Sequence, residues 1–120
     1  MLNLDTHILL FAATGRLTKR ERRIVESDTD WSISAIVLWE IEMLYERRRI
    51  QHGLDHPALA ALLARMQIWP LTVAVCLELR ALDFDSDPAD KLIAATSLAH
   101  HIPLVTRDKT IRRSKRVRCL

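Results

Sequence analysis

A short apolar strand passes directly into a helix in the segment LNLDTHILLFAATG, residues 2–15. The apolar residues that begin at Leu2 predict a strand, which ends at one acidic residue, Asp5. The residues from Thr6 to Thr14 predict a helix, and Gly15 supplies its C-terminal stop. A strand followed by an acidic turn and a helix is the first part of a βαβ unit, which builds parallel sheets.

The rest of the chain repeats this alternation of short apolar segments and longer helical patterns. Strands that alternate with such helices are typical of a parallel sheet covered on both faces. We therefore predict one α/β domain, residues 1–120, with a central, mainly parallel sheet of four to five strands. Further strands are predicted at 31–34, 68–71, 103–106 and 117–120, and further helices at 18–27, 35–49, 57–66, 73–82, 87–101 and 108–113.

Composition excludes several kinds of protein and of binding site. Hydrophobic residues make up 49% of the chain, but no wholly apolar run is long enough to span a membrane. The N-terminus has no signal-peptide pattern, so we expect a cytoplasmic protein. The two glycines exclude a P-loop or a dinucleotide-binding loop, and the two cysteines exclude a disulfide framework or a thiolate zinc site. The net charge of +3 is compatible with nucleic acid as a partner.

Acidic residues stand where predicted strands end, and ligands of open parallel sheets bind beyond the carboxyl ends of the strands. Asp5 follows the first strand, and Asp108 follows the strand at 103–106. Each is also a good N-cap for the helix after it. Asp90 lies on the first turn of another helix, where Asp87 as N-cap and Asp90 three residues later would form a capping box. Helix capping therefore competes with function as the explanation for these acids.

Glu40 has no comparable local explanation. At helical periodicity it falls in the middle of an apolar face, whereas Glu42 and Glu46 lie with Arg49 on the opposite, solvated face. A carboxylate in an apolar stripe is costly unless it is paired with a cationic side chain or binds a cation. A functional role is therefore favoured over a buried pair with arginine.

Four acids from separate segments are thus expected at one edge of the sheet: Asp5, Glu40, Asp90 and Asp108. Several carboxylates stay ionised side by side only if a cation neutralises them. Oxygen ligands without histidine or cysteine favour a hard ion such as Mg²⁺ or Mn²⁺. Such an ion can activate water and neutralise charge that develops on a phosphate, so the residues indicate metal-assisted phosphodiester hydrolysis.

Four motifs stand in order along nearly the whole chain: LDTHILL at 4–10, Ser34 with Glu40 six residues later, DPADKLIAAT at 87–96 and LVTRD at 104–108. Together they resemble the PIN-domain nucleases, and within these the VapC-type toxins of bacterial toxin–antitoxin pairs. The resemblance implies a three-layer α/β/α fold and a Mg²⁺- or Mn²⁺-dependent endoribonuclease that acts on RNA. It also implies a homodimer and inhibition by a cognate antitoxin.

The resemblance also implies roles for individual residues. Asp5, Glu40, Asp90 and Asp108 would be both the catalytic and the metal-binding acids. Thr6 and Thr106 would be supporting hydroxyls near the metal or the phosphate. Lys91 stands where the family often has arginine, whose planar pair of donors a lysine lacks.

The segment 107–118 is strongly basic, since seven of its twelve residues are lysine or arginine. It lies next to Asp108 and is therefore predicted to bind RNA phosphates. An ordinary solvated basic surface is the alternative. The candidate RNA-binding residues are Lys91, Arg107, Lys109, Arg112 and Arg113.

Rival functions can be weighed on single residues. A receiver-like domain would need an acceptor aspartate where Thr72 stands, and a dehalogenase-like phosphatase would need an aspartate where His7 stands. A non-catalytic, basic module for binding nucleic acid would explain the charge and leave Glu40 unexplained. Leu38 and Trp39 lie off the Glu40 face, where they either pack against the fold or form part of an interface.

Overall fold

The computed structural model describes residues 1–120 and has a central parallel sheet flanked by helices, an α/β/α arrangement in three layers. Its strands, in the order β3-β2-β1-β4, are β1 (Leu2–Leu4), β2 (Trp31–Ser34), β3 (Gln67–Trp69) and β4 (Leu104–Val105). All neighbouring strands are parallel, so the predicted fold class is confirmed. The helices are α1 (Thr6–Thr14), α2 (Lys19–Glu26), α3 (Ile36–Glu46), α4 (Pro57–Leu63), α5 (Val73–Leu77), α6 (Pro88–His100) and α7 (Lys109–Arg112).

β1 is the buried centre of the sheet. The side chain of Asn3 is fully buried and ties β1 to α6, because it donates hydrogen bonds to the Ile93 carbonyl oxygen (3.2 Å) and to Ser97 Oγ (2.9 Å). The apolar core surrounds this strand and includes the fully buried Leu4 and Ile33. Because β1 lies between β2 and β4, the residue that follows it is flanked by the carboxyl ends of two other strands.

Two local signals in the sequence are confirmed. Gly15 ends α1 in the left-handed conformation (φ 70°), which glycine adopts without a steric penalty. Thr18 and Glu21 form a reciprocal capping box at the start of α2: the Thr18 amide donates to Glu21 Oε1 (2.9 Å), and the Glu21 amide donates to Thr18 Oγ1 (3.2 Å).

Several boundaries differ from those predicted. α3 ends at Glu46, earlier than expected, because Arg48 adopts a left-handed conformation (φ 56°) that the helix cannot continue through. β3 ends at Trp69, before Pro70, which has no N–H to donate to a neighbouring strand. The helix predicted at 73–82 is divided into α5 and a 3₁₀ turn at Glu78–Ala81.

The prediction of a strand at 117–120 is wrong. Cys119 makes only an isolated parallel bridge to Leu104, so the sheet has four strands. Two backbone hydrogen bonds hold this segment against β4: the Leu104 amide donates to the Arg118 oxygen (2.9 Å), and the Leu120 amide donates to the Leu104 oxygen (3.1 Å).

Leu38 and Trp39, near the start of α3, have different environments. Leu38 packs against the core, whereas Trp39 is 55% exposed. No helix in the structure has the length and apolar character needed to cross a membrane.

Candidate metal centre

Asp5 lies where β1 meets α1 and is buried. One of its carboxylate oxygens accepts from the Thr6 amide (2.8 Å), and the other accepts from the Thr106 hydroxyl (2.5 Å). Burial raises the pKa of Asp5, because the charged form loses hydration, although both hydrogen bonds favour the ionised state. Asp5 therefore caps α1, as the local explanation predicted, and also faces the end of β4.

Glu40 lies on α3 and is partly buried beside the start of α1. Its carboxylate accepts a hydrogen bond from the Thr6 hydroxyl. Burial is the main reason that the pKa of Glu40 is raised, and the negative charges of Asp5 and Asp90 raise it further. Glu40 is thus close to two of the other predicted acids and has no arginine partner.

Asp90 lies on the first turn of α6, and its carboxylate accepts from the Ser86 hydroxyl (2.7 Å). Burial raises its pKa, with further contributions from the charges of Asp5, Asp108 and Asp87. Asp87 occupies the N-cap position but its side chain makes no capping bond. The capping-box explanation for this pair is therefore wrong.

Asp108 follows β4 and caps α7 by accepting from the Ile111 amide (2.9 Å). Its own amide donates to Thr106 Oγ1 (3.0 Å), and the same hydroxyl donates to Asp5. Thr106 thus connects the turns after β1 and β4 through a single hydroxyl group. Capping explains one oxygen of Asp108, and its charge also acts on Asp5 and Asp90.

None of these four acids has a basic partner. The ion pairs of the chain join the Met1 amino group to Asp28, Lys91 to Asp85 and Arg107 to Glu21. No lysine, arginine or histidine nitrogen therefore lies within 4.0 Å of the four carboxyls. Negative charge is concentrated at this edge of the sheet and is not neutralised by an ion pair within the chain.

The chemistry of the donor set fits a hard divalent cation, since it offers carboxylate and hydroxyl oxygens. As the side chains stand, no three of them are in position to bind one metal ion together. Their oxygens accept hydrogen bonds from hydroxyls and backbone amides instead. Metal binding at this edge would therefore require some of the carboxyls to rotate towards a common point.

The model of the PIN domain family matches residues 3–117 of the chain. The chain belongs to the PIN domain family. This PIN domain is also similar to Ribonuclease VapC22 of Mycobacterium tuberculosis, with 31% identity over 115 residues that cover 91% of the chain and 88% of that protein.

Solved structures share the fold of this PIN domain. VapBC2 from Rickettsia felis, bound to a DNA fragment from their promoter, matches with a TM-score of 0.76 and 20% identity, covering 100% of this chain and 98% of that one. A toxin–antitoxin complex from Klebsiella pneumoniae matches with a TM-score of 0.71 and 19% identity, covering 94% of this chain and 92% of that one.

The basic residues predicted to bind RNA differ in how many hydrogen bonds and ion pairs they form within the chain. The Arg107 guanidinium forms two hydrogen bonds with Glu21 (2.5 and 2.6 Å). Lys91 lies 3.7 Å from Asp85, and Arg112 donates to two backbone oxygens. The side chains of Lys109 and Arg113 are exposed and make no hydrogen bond or ion pair within the PIN domain.

Arg107 has a structural role in the PIN domain that its sequence position did not indicate. Its guanidinium carbon lies 4.0 Å from the centre of the Phe11 ring, a cation–π contact, and one of its nitrogens also donates to the Arg16 carbonyl oxygen (3.3 Å). The pair with Arg107 lowers the pKa of Glu21 to about 2. Arg107 therefore fastens the turn that carries Thr106 and Asp108 to α1 and α2.

Two further polar contacts were missed or misjudged from the sequence. Ser86, which holds Asp90, precedes the helix in a loop, and its only signal was a hydroxyl four residues before that acid. Glu42 is not a solvated-face charge, because its carboxylate is partly buried and accepts from the Leu54 amide (2.8 Å). The loop after α3 folds back over the helix, which the helical periodicity alone could not indicate.

Proposed function

We propose that this chain is a metal-dependent endoribonuclease that serves as the toxin of a toxin–antitoxin pair. One nuclease domain, residues 1–120, would hydrolyse RNA phosphodiesters in the cytoplasm. Membership of the PIN domain family and the likeness to a protein named ribonuclease support the nuclease activity. The toxin–antitoxin complexes with the same fold support the pairing with an antitoxin.

The observation that carries the proposal is the group of four uncompensated acids. Asp5, Glu40, Asp90 and Asp108 come from four separate segments and influence one another's ionisation. The pKa of each of the first three is raised, chiefly by burial, although the charge of His7 partly counters the shift at Asp5 and Glu40. No lysine or arginine forms an ion pair with any of the four acids. Keeping such a group ionised costs stability, which favours a functional reason for its presence.

Asp5, Glu40, Asp90 and Asp108 would hold Mg²⁺ or Mn²⁺. Such an ion would lower the pKa of a bound water molecule and would neutralise negative charge that develops on the phosphate. The chain's own residues would set the positions of these acids. The Thr6 hydroxyl orients Glu40, and the Thr106 hydroxyl orients Asp5, as supporting hydroxyls of the site.

RNA, an antitoxin and a second copy of the chain are the proposed partners. Lys91, Arg107, Lys109, Arg112 and Arg113 remain candidates for contacts with RNA, and Lys109 and Arg113 are the least engaged within the chain. The resemblance of the sequence to VapC-type toxins supports a homodimer, which the antitoxin would join into a larger complex.

Cleavage of RNA in different metal ions tests the proposed activity. The purified protein should cleave with Mg²⁺ or Mn²⁺, stop in EDTA and cleave little with Zn²⁺, because oxygen ligands prefer hard ions. Excess Mn²⁺ added after EDTA should restore the cleavage. Full cleavage in EDTA would contradict the metal requirement, and no cleavage with any of the ions would contradict the nuclease itself.

A further inference from the structure

A cleft of about 520 Å³ lies between α1 and the loop that follows α3. This volume is within the range of roughly 300 to 1,000 Å³ that is common for ligand sites in proteins. The cleft begins at His7, which directly follows the Thr6 that bonds to Glu40. The His7 side chain interacts electrostatically with both Asp5 and Glu40. The cleft therefore adjoins the group of acids.

The lining of this cleft contains two arginines and no acidic residue. Three of its nine lining residues are hydrophobic, and none is acidic. Neither Arg16 nor Arg49 forms an ion pair, and both are exposed. The polar lining consists of His7, Thr14, Arg16, Arg49, Gln51 and His52.

Such a lining complements an anion that carries several acceptor oxygens. Arginine binds phosphate oxygens through two parallel N–H groups, and histidine, glutamine and threonine add further donors. The neighbouring acids, by contrast, repel a polyanion. A strand of RNA that reaches those acids needs a compensating basic surface beside them, and the cleft provides one.

We infer that this cleft binds the backbone of single-stranded RNA beside the bond to be cleaved, with Arg16 and Arg49 in contact with phosphates. The inference rests on the proposed nuclease function and adds a path for the substrate. It places the main phosphate contacts on residues that follow α1 and α3. Of the basic segment 107–118, Arg107 borders the cleft, since it contacts Phe11 and the Arg16 carbonyl oxygen. A protein segment is the alternative occupant, because Leu10, Phe11 and Ile50 give the cleft an apolar part. RNA is favoured because the lining contains two arginines without ion-pair partners and no acidic residue.

Binding measurements on a cleavage-deficient background test the cleft. A labelled single-stranded RNA of mixed sequence is titrated with Asp5→Asn protein that also carries Arg16→Gln and Arg49→Gln. Affinity should fall roughly tenfold, and the slope of log affinity against log salt should lose about 1.4, which is about 0.7 for each phosphate contact. The matched control carries Arg22→Gln and Arg65→Gln, two exposed arginines outside the cleft with the same total charge change.

The outcomes separate the cleft from the nuclease. If the cleft variant binds RNA with the affinity and salt slope of the control, the inference is wrong. The proposed nuclease activity is tested separately, by RNA cleavage with the native chain. The inference is also wrong if the cleft variant keeps its RNA affinity and loses affinity for the antitoxin instead. Failure of the native chain to cleave RNA in Mn²⁺ would contradict the proposed function, whatever the binding result.

Discussion

Both carboxylate oxygens of Asp5 already accept hydrogen bonds, one from the Thr6 amide and one from the Thr106 hydroxyl. Asp5→Asn keeps the side-chain volume, removes the charge and retains only one of the two acceptor oxygens. We expect RNA cleavage to fall by at least about 100-fold, since a lost metal ligand costs more than a lost supporting contact. A cleavage assay on the folded variant, with its secondary structure checked by circular dichroism, measures this.

The control for Asp5→Asn must be a carboxylate without a structural role. Glu46→Gln is suitable, because Glu46 is exposed at the end of α3 and accepts no side-chain hydrogen bond. Glu42→Gln is not suitable, because Glu42 holds the Leu54 amide. If Asp5→Asn and Glu46→Gln cleave equally well, Asp5 is not part of the catalytic centre.

Thr106 holds two acids of the candidate site with one hydroxyl, which donates to Asp5 and accepts from the Asp108 amide. Thr106→Val leaves a buried carboxylate oxygen and a backbone N–H without partners, at a cost of about 1 to 3 kcal/mol. We expect a lower free energy of unfolding in urea and weaker RNA cleavage. Thr106→Ser restores the hydroxyl and should recover most of both, and if it recovers neither, the methyl group rather than the hydroxyl matters.

Single residues differ in how far the sequence could predict their environment. The location of Glu40 followed from helical periodicity, because α3 does run through that segment and positions it beside α1. The partner of Asp90 could not be predicted, because Ser86 reaches it through the conformation of a loop. Periodicity describes a helix in isolation, so it also missed the loop that folds over Glu42.

At the level of secondary-structure elements, the pair of Arg107 with Glu21 joins α2 to the turn between β4 and α7. The Glu21 side chain is only 10% exposed, so removing its partner leaves a mostly buried carboxylate. We expect Arg107→Gln to lower the free energy of unfolding by about 1 to 2 kcal/mol at neutral pH. Thermal or urea unfolding measures the difference from the native chain.

The same pair predicts how that difference depends on pH. The pKa of Glu21 is about 2 in the folded chain against an ordinary value of 4.5, so the pair stabilises the fold fully above pH 4.5. This contribution is lost as the pH falls from about 4.5 towards 2. The destabilisation caused by Arg107→Gln should therefore shrink over this interval, and a difference that stays constant with pH would show that the charge of Glu21 is not involved.

Most elements could be predicted because each strand and helix carried its own local signal. The capping box at Thr18 and the stop at Gly15 depend on nearest neighbours, and both were confirmed. The early end of α3 depends on a left-handed residue, Arg48, whose side chain gives no warning of that conformation. The segment 117–120 has a strand-like composition but meets β4 through an isolated bridge, which depends on tertiary packing.

For the whole molecule, a bound cation should stabilise the fold, because it relieves repulsion among four acids that the chain leaves uncompensated. A ligand present at about 100 times its dissociation constant adds about 2.7 kcal/mol. Mg²⁺ or Mn²⁺ should therefore raise the Tm of the native chain in a thermal-shift assay. Asp90→Asn should reduce this shift, and an equal shift in both proteins would place the bound ion elsewhere.

The convergence of the acids was predictable, because strands of a parallel sheet bring their carboxyl ends to one edge regardless of distance along the sequence. This reasoning related Asp5 to Asp108 across the whole chain. The cleft was not predictable in this way, since it combines one helix with a loop whose path no periodic pattern describes. Its arginines, Arg16 and Arg49, lie after the ends of helices, where basic residues are common for local reasons.

An antitoxin would meet a molecule whose acids have no basic partner of their own. An arginine inserted among Asp5, Glu40, Asp90 and Asp108 would bridge two carboxylates and take the place of the metal. We expect increasing Mg²⁺ or Mn²⁺ to weaken the binding of the proposed antitoxin, and Asp5→Asn to weaken it as well. Calorimetric titration at several metal concentrations measures both effects. If the affinity responds to neither the metal nor the charge of Asp5, the antitoxin inhibits at another surface and acts by blocking the approach of RNA.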